Sequence, residues 1–367
     1  MLSLNIPSYS DPSGYILSDL PKPEITDSKD VVIKVHAASV NPVDVKKADG
    51  VLKMALKDTF PYKIGYDCAG IVSEIGKSVS RFKVGDEVYV RLPESHRGAW
   101  SEYARCPEEF IALKPPSLSF ESAAAIPLAA TTAFQALQKY NGDLTGKTVF
   151  VPAGLGGVGL YALQLAKHVF HAGNVITTVS TSKIPKLPPL SPPQPTPLVR
   201  APANPVKVID YKKSDPKDVI PHGSVDFLFD TMAVSMEYLC LMRPKTSRIV
   251  SISTLPSGTL LQNSSVMRLP DRPTLPFAYK AVLNVLDATR RLRARRYGVE
   301  YSYMFLEPSG NDLDTLREYI EEGKLKTVIG TTVNLRDIQE VRKACQIVYG
   351  GQGGLGKVVI RVAESDS

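Results

Sequence analysis

Apolar side chains come in short runs through roughly the first 120 residues. The runs 31–35 (Val-Val-Ile-Lys-Val), 68–75 and 87–90 read as strands, with glycines and prolines at the joins. Gly65, Gly70, Gly76 and Gly85 stand where a compact β-barrel would turn, and 80–86 ends in a Gly-Asp turn signal. This part predicts an all-β domain. After Ser119 the pattern changes. Residues 121–127 and 129–139 are Ala-rich and helical, 148–152 is a buried strand, and a second helix starts at Gly159. Further apolar strands at 175–179, 225–229 and 248–253 continue the βα alternation, which implies a mostly parallel sheet covered on both faces. The last stretch predicts a helix over 313–323, a strand near 331–334, a helix from Asp337 and a closing strand over 357–362. The domain expectation is a first part at 1–122, a doubly wound domain at 123–312 and a return to the first domain at 313–367. Residues 184–205 fit neither pattern. Nine prolines there exclude a helix and suggest an extended insertion where a crossover helix of the doubly wound domain belongs.

Composition narrows the class. A chain of 367 residues with 43% hydrophobic and 22% charged residues has room for two cored domains and is too apolar for wholesale disorder. No run approaches a membrane span, and the N-terminus lacks the order of a signal peptide or an Arg-rich presequence, so a cytosolic protein is expected. Cys68, Cys106, Cys240 and Cys345 lie far apart with no C-x-x-C pair and read as free thiols. The net charge of +7 owes much to Arg290, Arg291, Arg293, Arg295 and Arg296. They read as a solvated helix face after 281–292, which argues against a nucleic-acid partner.

Gly154-Leu155-Gly156-Gly157-Val158-Gly159 is a G-x-G-x-x-G hexapeptide with a strand before it, an apolar-periodic helix after it and a second strand beyond. Glycines there let the backbone approach a pyrophosphate and present helix N–H groups to its charge. An NAD-preferring site places Asp or Glu about 20 residues on. Residues 160–209 contain neither, and the second strand runs into Ser180-Thr181-Ser182-Lys183. Hydroxyls and an ammonium suit the 2′-phosphate of NADP. Ser180, Ser182 and Lys183 are therefore candidate NADPH-binding residues.

In this domain order the chain resembles the zinc-independent quinone oxidoreductase-like and enoyl reductase-like branch of the medium-chain dehydrogenase/reductase superfamily. The resemblance is carried by 35–44 (Val-His-Ala-Ala-Ser-Val-Asn-Pro-Val-Asp), by 64–90 with its G-x-D-x-x-G and V-G-D-x-V elements, by 98–104, 124–137, the glycine fingerprint, and Val-Ile-Asp-Tyr at 208–211. It implies an α/β protein with a GroES-like, β-rich catalytic domain plus a doubly wound Rossmann domain. It also implies Asn41 and Asp44 beside a nicotinamide, Thr132 near its ribose or carboxamide, and Tyr211 against the adenine. Asn41 as a turn cap, Asp44 as a helix cap and Tyr211 as a packed aromatic are the plainer alternatives. The family's zinc ligands have no counterpart, since Asn41-Pro42-Val43-Asp44 offers no thiol and the metal-binding triplet reads Gly65-Tyr66-Asp67. The implied reaction is hydride transfer to a quinone or an α,β-unsaturated carbonyl, with Tyr66 or Tyr62 as a candidate donor to the oxygen where charge develops. Two alternatives stay open: an enoyl reductase acting on a chain held by an acyl carrier domain, and a catalytically weak NADPH-binding scaffold. A homodimer is compatible with the resemblance.

Overall fold

The computed structural model describes residues 1–186, 206–351 and 354–363. Six parallel strands form one sheet. In chain order they are Thr148–Val151, Asn174–Val179, Lys207–Asp210, Phe227–Asp230, Arg248–Ser251 and Glu300–Tyr303. In space they run third, second, first, fourth, fifth, sixth, the order of a dinucleotide-binding sheet with its crevice beside the first strand. These strands read as continuous apolar runs because both faces are covered: Val149, Phe150, Val151, Phe227, Leu228 and Phe229 are fully buried.

A second, seven-stranded sheet is built mainly from the first part of the chain. Asp30–Val40 is its long centre, paired antiparallel with Asp67–Ile75, Tyr103–Pro107 and Lys357–Arg361. The closing strand therefore inserts next to a strand more than 300 residues earlier. Val333, Val341, Cys345, Ile360 and Val362 share one core with Leu4, Val31 and Trp100.

Three sequence expectations change. The first part is not all-β, because Pro42–Ala48 is a helix. Seven residues are too few for a periodic signal, although Pro42 at its first position is a start signal. Gly70 lies inside Asp67–Ile75 opposite Val35, where a Cβ would come 2.1 Å from the Lys34 carbonyl oxygen; close strand approach requires it, not a turn. The five arginines lie, as read, on a helix face, in the last two turns of Phe277–Arg296. The helix expected from Gly159 starts at Gly157. Thr181–Lys186 is a short 3-10 helix; the rest of the proline-rich segment lies outside the described residues. Among the described residues no helix is long and apolar enough to cross a membrane.

Candidate functional site

Asn41 ends the central strand in an extended conformation and opens the helix Pro42–Ala48. Its backbone N–H donates to Asp44 Oδ2 at 2.6 Å, which folds Asp44 back under the turn. Its side-chain Nδ2 donates to Asp67 Oδ2 at 2.9 Å, and Ser39 Oγ donates to the same oxygen at 3.1 Å. Asp67 Oδ1 accepts the backbone N–H of Leu128 at 3.0 Å, at the start of the helix Pro127–Gln138. One carboxylate thus holds a strand, a turn and a helix N-terminus. Lys357 Nζ arrives from the closing strand and donates to Val40 O at 3.1 Å and to Asn41 Oδ1. Asn41, Asp44, Asp67 and Lys357 are all buried.

Burial dominates the charges here. It pushes the Asp44 carboxyl up to about 8, the Asp67 charge adds to that, and Lys357 and Arg91 only partly oppose it. Asp67 rises for the same first reason. The Lys357 ammonium is pushed down by burial while both carboxylates pull it up. Asp44 Oδ1 has no hydrogen-bond partner among the described residues, which suits a neutral acid better than a carboxylate.

Tyr66 precedes Asp67 but faces another cluster. Its hydroxyl donates to Glu94 Oε2 at 2.6 Å. Glu94 Oε1 accepts Lys47 and Arg97, and Arg97 pairs with Asp58 at 2.8 Å. Burial works against the Glu94 charge, but Lys47 and Arg97 hold its carboxyl below the usual range. Burial pushes the Tyr66 phenol far above its ordinary value. The phenol proton expected to face a substrate oxygen is thus given to Glu94. Tyr62 is buried too, with the Arg97 guanidinium 4.1 Å from its ring centre.

The glycine hexapeptide joins Thr148–Val151 to the helix Gly157–His168. Gly154 N–H donates to Thr177 Oγ1 at 2.9 Å, and a Cβ on Gly154 would lie 2.1 Å from that oxygen. A Cβ on Gly159 would lie 2.7 Å from Ala153 O. Gly156 caps the helix with no side chain, so the first helical N–H groups lack intrahelical partners and are suited to an anion. Leu155 is buried and its carbonyl accepts Gly356 N–H at 3.0 Å, while Val158 is half-buried against the core.

The remaining candidates lie at the ends of the second and third strands, where Val179 is paired with Asp210. Ser180 Oγ and Ser182 Oγ are 3.4 Å apart, and Lys183 N–H donates to Ser180 O. Tyr211 is about half exposed, with the Lys212 ammonium 5.4 Å from its ring centre. Thr132 Oγ1 donates back to Leu128 O at 2.6 Å, whereas the buried hydroxyl of its neighbour Thr131 has no partner among the described residues. Sequence reasoning missed Asp67, Lys357, Thr131 and Asp210, whose carboxylate accepts Thr181 Oγ1 at 2.7 Å. Among the described residues no group of three His, Cys, Asp or Glu is placed to hold a metal ion.

Comparisons with known proteins bear on this geometry. The family model described as alcohol dehydrogenase GroES-like domain matches residues 27–116, and that described as zinc-binding dehydrogenase matches 206–360. The chain is 30% identical over 335 residues to NAD(P)H oxidoreductase RTN4IP1, mitochondrial, of Bos taurus, covering 87% of this chain and 79% of that one. It is 40% identical over 183 residues to NADPH-dependent alkenal/one oxidoreductase, chloroplastic, of Arabidopsis thaliana. That match spans 47% of either chain, so about half of the relative's length. The solved quinone oxidoreductase of Coxiella burnetii superimposes with a TM-score of 0.76 over 99% of both chains at 26% identity. The organelle names of these relatives lend no support to the cytosolic expectation.

Proposed function

The chain belongs to the medium-chain dehydrogenase/reductase superfamily, and we propose that within it this protein is a zinc-independent, NADPH-dependent reductase of quinones or α,β-unsaturated carbonyls. The observation that carries the reading is the uncapped glycine turn at the crevice of a sheet in dinucleotide-binding order, tied through Leu155 to the strand that delivers Lys357 to Asn41. The residues fit a dinucleotide. Positions 154, 156 and 159 are glycine, and Cβ atoms at 154 and 159 would collide with the strand–helix packing. Gly154, Leu155, Gly156, Gly157, Val158 and Gly159 would hold the pyrophosphate, and Tyr211 would cover the adenine. Ser180, Ser182 and Lys183 would take a 2′-phosphate, with Asp210 held aside by Thr181.

Asn41, Asp44 and Thr132 would flank the nicotinamide, which when bound supplies a hydride. The chain supplies orientation and a dry, charged floor. Asn41 is held by opposite charges on its two amide atoms, and Asp44 keeps a proton at neutral pH. Tyr66 is a supporting residue in this reading, because its hydroxyl anchors Glu94. Asn41 and Tyr66 occupy the positions where zinc-dependent members of the family carry ligands, and neither is a zinc-binding side chain.

One surface favours the enoyl variant of the same chemistry. Phe277–Arg296 exposes Val282, Val285, Leu286 and Leu292 ahead of Arg293, Arg295 and Arg296, an apolar strip ending in positive charge that suits an acidic carrier domain.

The test is a paired fluorescence titration with NADPH and NADH, followed by absorbance loss on adding 9,10-phenanthrenequinone, a 2-alkenal or a carrier-bound enoyl thioester. NADPH bound at least tenfold tighter than NADH, with turnover unaffected by 1,10-phenanthroline, is the expected result. Equal affinity for the two cofactors overturns the Ser180–Lys183 assignment. Binding with no turnover of any acceptor overturns the reductase reading, and turnover of the thioester alone selects the enoyl variant.

A further inference from the structure

Lys357 is a buried cation beside the candidate site and belongs to none of the family signatures quoted above. Among the described residues its ammonium forms no ion pair; two uncharged oxygens, Val40 O and Asn41 Oδ1, accept its protons. A buried ammonium whose hydrogen bonds go only to neutral oxygens is costly, and the nearby carboxylates offset only part of that cost. Asn41 shows what the charge does. A buried amide can sit in either of two flipped orientations, and its neighbours choose between them. Lys357 offers only donors, so the amide oxygen must face it. Asp67 offers only acceptors when ionised, so the amide nitrogen must face that side.

The same residue reaches the nucleotide loop. Its stem packs so closely on Gly157 that a Cβ there would lie 2.8 Å from Lys357 Cδ. The preceding Gly356 donates to Leu155 O and is paired with Gly156. A shift of the loop is therefore passed through packed atoms and one charged hydrogen bond to the Asn41 amide.

We propose that Lys357 is a positioning residue, which fixes the orientation of the Asn41 amide and couples it mechanically to the glycine loop. Its effect on turnover rests on the reductase reading above; its effect on Asn41 does not. The experiment uses the full chain with Lys357→Met, which keeps the stem and removes the donors, and Lys357→Arg, which restores donors and charge. Selective 15N-asparagine labelling reads the Asn41 side-chain amide, assigned with Asn41→Ser. Lys357→Met is expected to keep NADPH affinity within about threefold and to lower kcat by about 10- to 100-fold. Its Asn41 amide resonance shifts and exchanges faster, and Lys357→Arg recovers most of both. In the wild type, ADP, which carries the diphosphate but no nicotinamide, shifts the Asn41 resonance. A folded Lys357→Met with unchanged kcat and an unmoved Asn41 resonance overturns the proposal. If that variant does not fold, a wild-type Asn41 resonance indifferent to ADP overturns it. A wild type that reduces no acceptor sinks the functional reading alone, since the resonance still judges Lys357.

Discussion

The junction around Asn41 and the strand ends around Ser180 are assembled on opposite plans. At the junction Asn41, Asp67 and Lys357 are buried and answer one another's hydrogen bonds, so no single group can move without orphaning another. At the strand ends around Ser180, both Thr181 and Ser182 are exposed and Tyr211 is half exposed, and Thr181 reaches across to Asp210. A buried polar network fixes geometry at a high cost for any change, whereas an exposed loop can trade side chains at little cost to the fold. On the proposed function, the chemistry would lie in the first and the cofactor choice in the second.

The strongest way to break this contrast is Asp67→Ala. It leaves Asn41 Nδ2, Ser39 Oγ and Leu128 N–H without their acceptor and removes a negative charge near buried Lys357. A loss of about 3–5 kcal/mol in a urea melt is expected. A loss below about 1 kcal/mol would show that the junction is no more rigid than the loop.

The pH dependence of stability is the next largest effect. Asp44 titrates near 3.8 in an unfolded chain and near 8 when folded. Between those values the folded protein keeps a proton that the unfolded chain has released, so stability falls as pH rises from about 4 to about 8 and is level above that. Asp67, also raised, adds to the fall, while Lys357, lowered by burial, contributes the opposite slope in the alkaline range. Asp44→Asn is expected to flatten the decline between pH 5 and pH 8 in thermal melts followed by circular dichroism. A decline as steep as in the wild type would remove Asp44 as its source.

What was legible in the chain follows the same division. The glycine hexapeptide and the strands around it are contiguous signals, so both the Rossmann sheet and its loop could be read locally. Asn41 and Asp44 were reachable because Pro42 and the family's order mark them. Lys357 was not, because its partner lies 316 residues away and a lysine in a closing strand carries no local mark. The phenol of Tyr66 was misdirected for a related reason. Its acceptor, Glu94, begins a short 3-10 helix 28 residues on, and only the folded sheet brings the two together. The helix Pro42–Ala48 was missed for its brevity, and Gly70 was read as a turn because a glycine required by strand contact looks the same in sequence.

At the strand ends around Ser180, Lys183→Ala sharpens the comparison. Removing one ammonium from the proposed 2′-phosphate site is expected to raise the NADPH dissociation constant about tenfold, leave NADH within about twofold and change the melting temperature by no more than a few degrees. Equal weakening of both cofactors, measured by fluorescence titration, would mean that Lys183 supports the loop and does not read the 2′-phosphate.

The smallest effect is expected from Tyr66→Phe, and it separates the two clusters of the catalytic domain. The variant removes one hydroxyl donor from Glu94, which keeps Lys47 and Arg97. About 1 kcal/mol of stability should be lost, because the buried carboxylate gives up one of its hydrogen bonds while its ion pairs persist. The ring still fills its place against the Arg91 guanidinium, 4.7 Å away, so the strand entering Asp67 keeps its position. Turnover should therefore stay within about threefold of wild type in steady-state assays with a quinone, since the phenol proton is held by Glu94. A hundredfold drop in kcat with intact stability would restore Tyr66 as the donor to substrate and require its hydroxyl to leave Glu94 during the reaction.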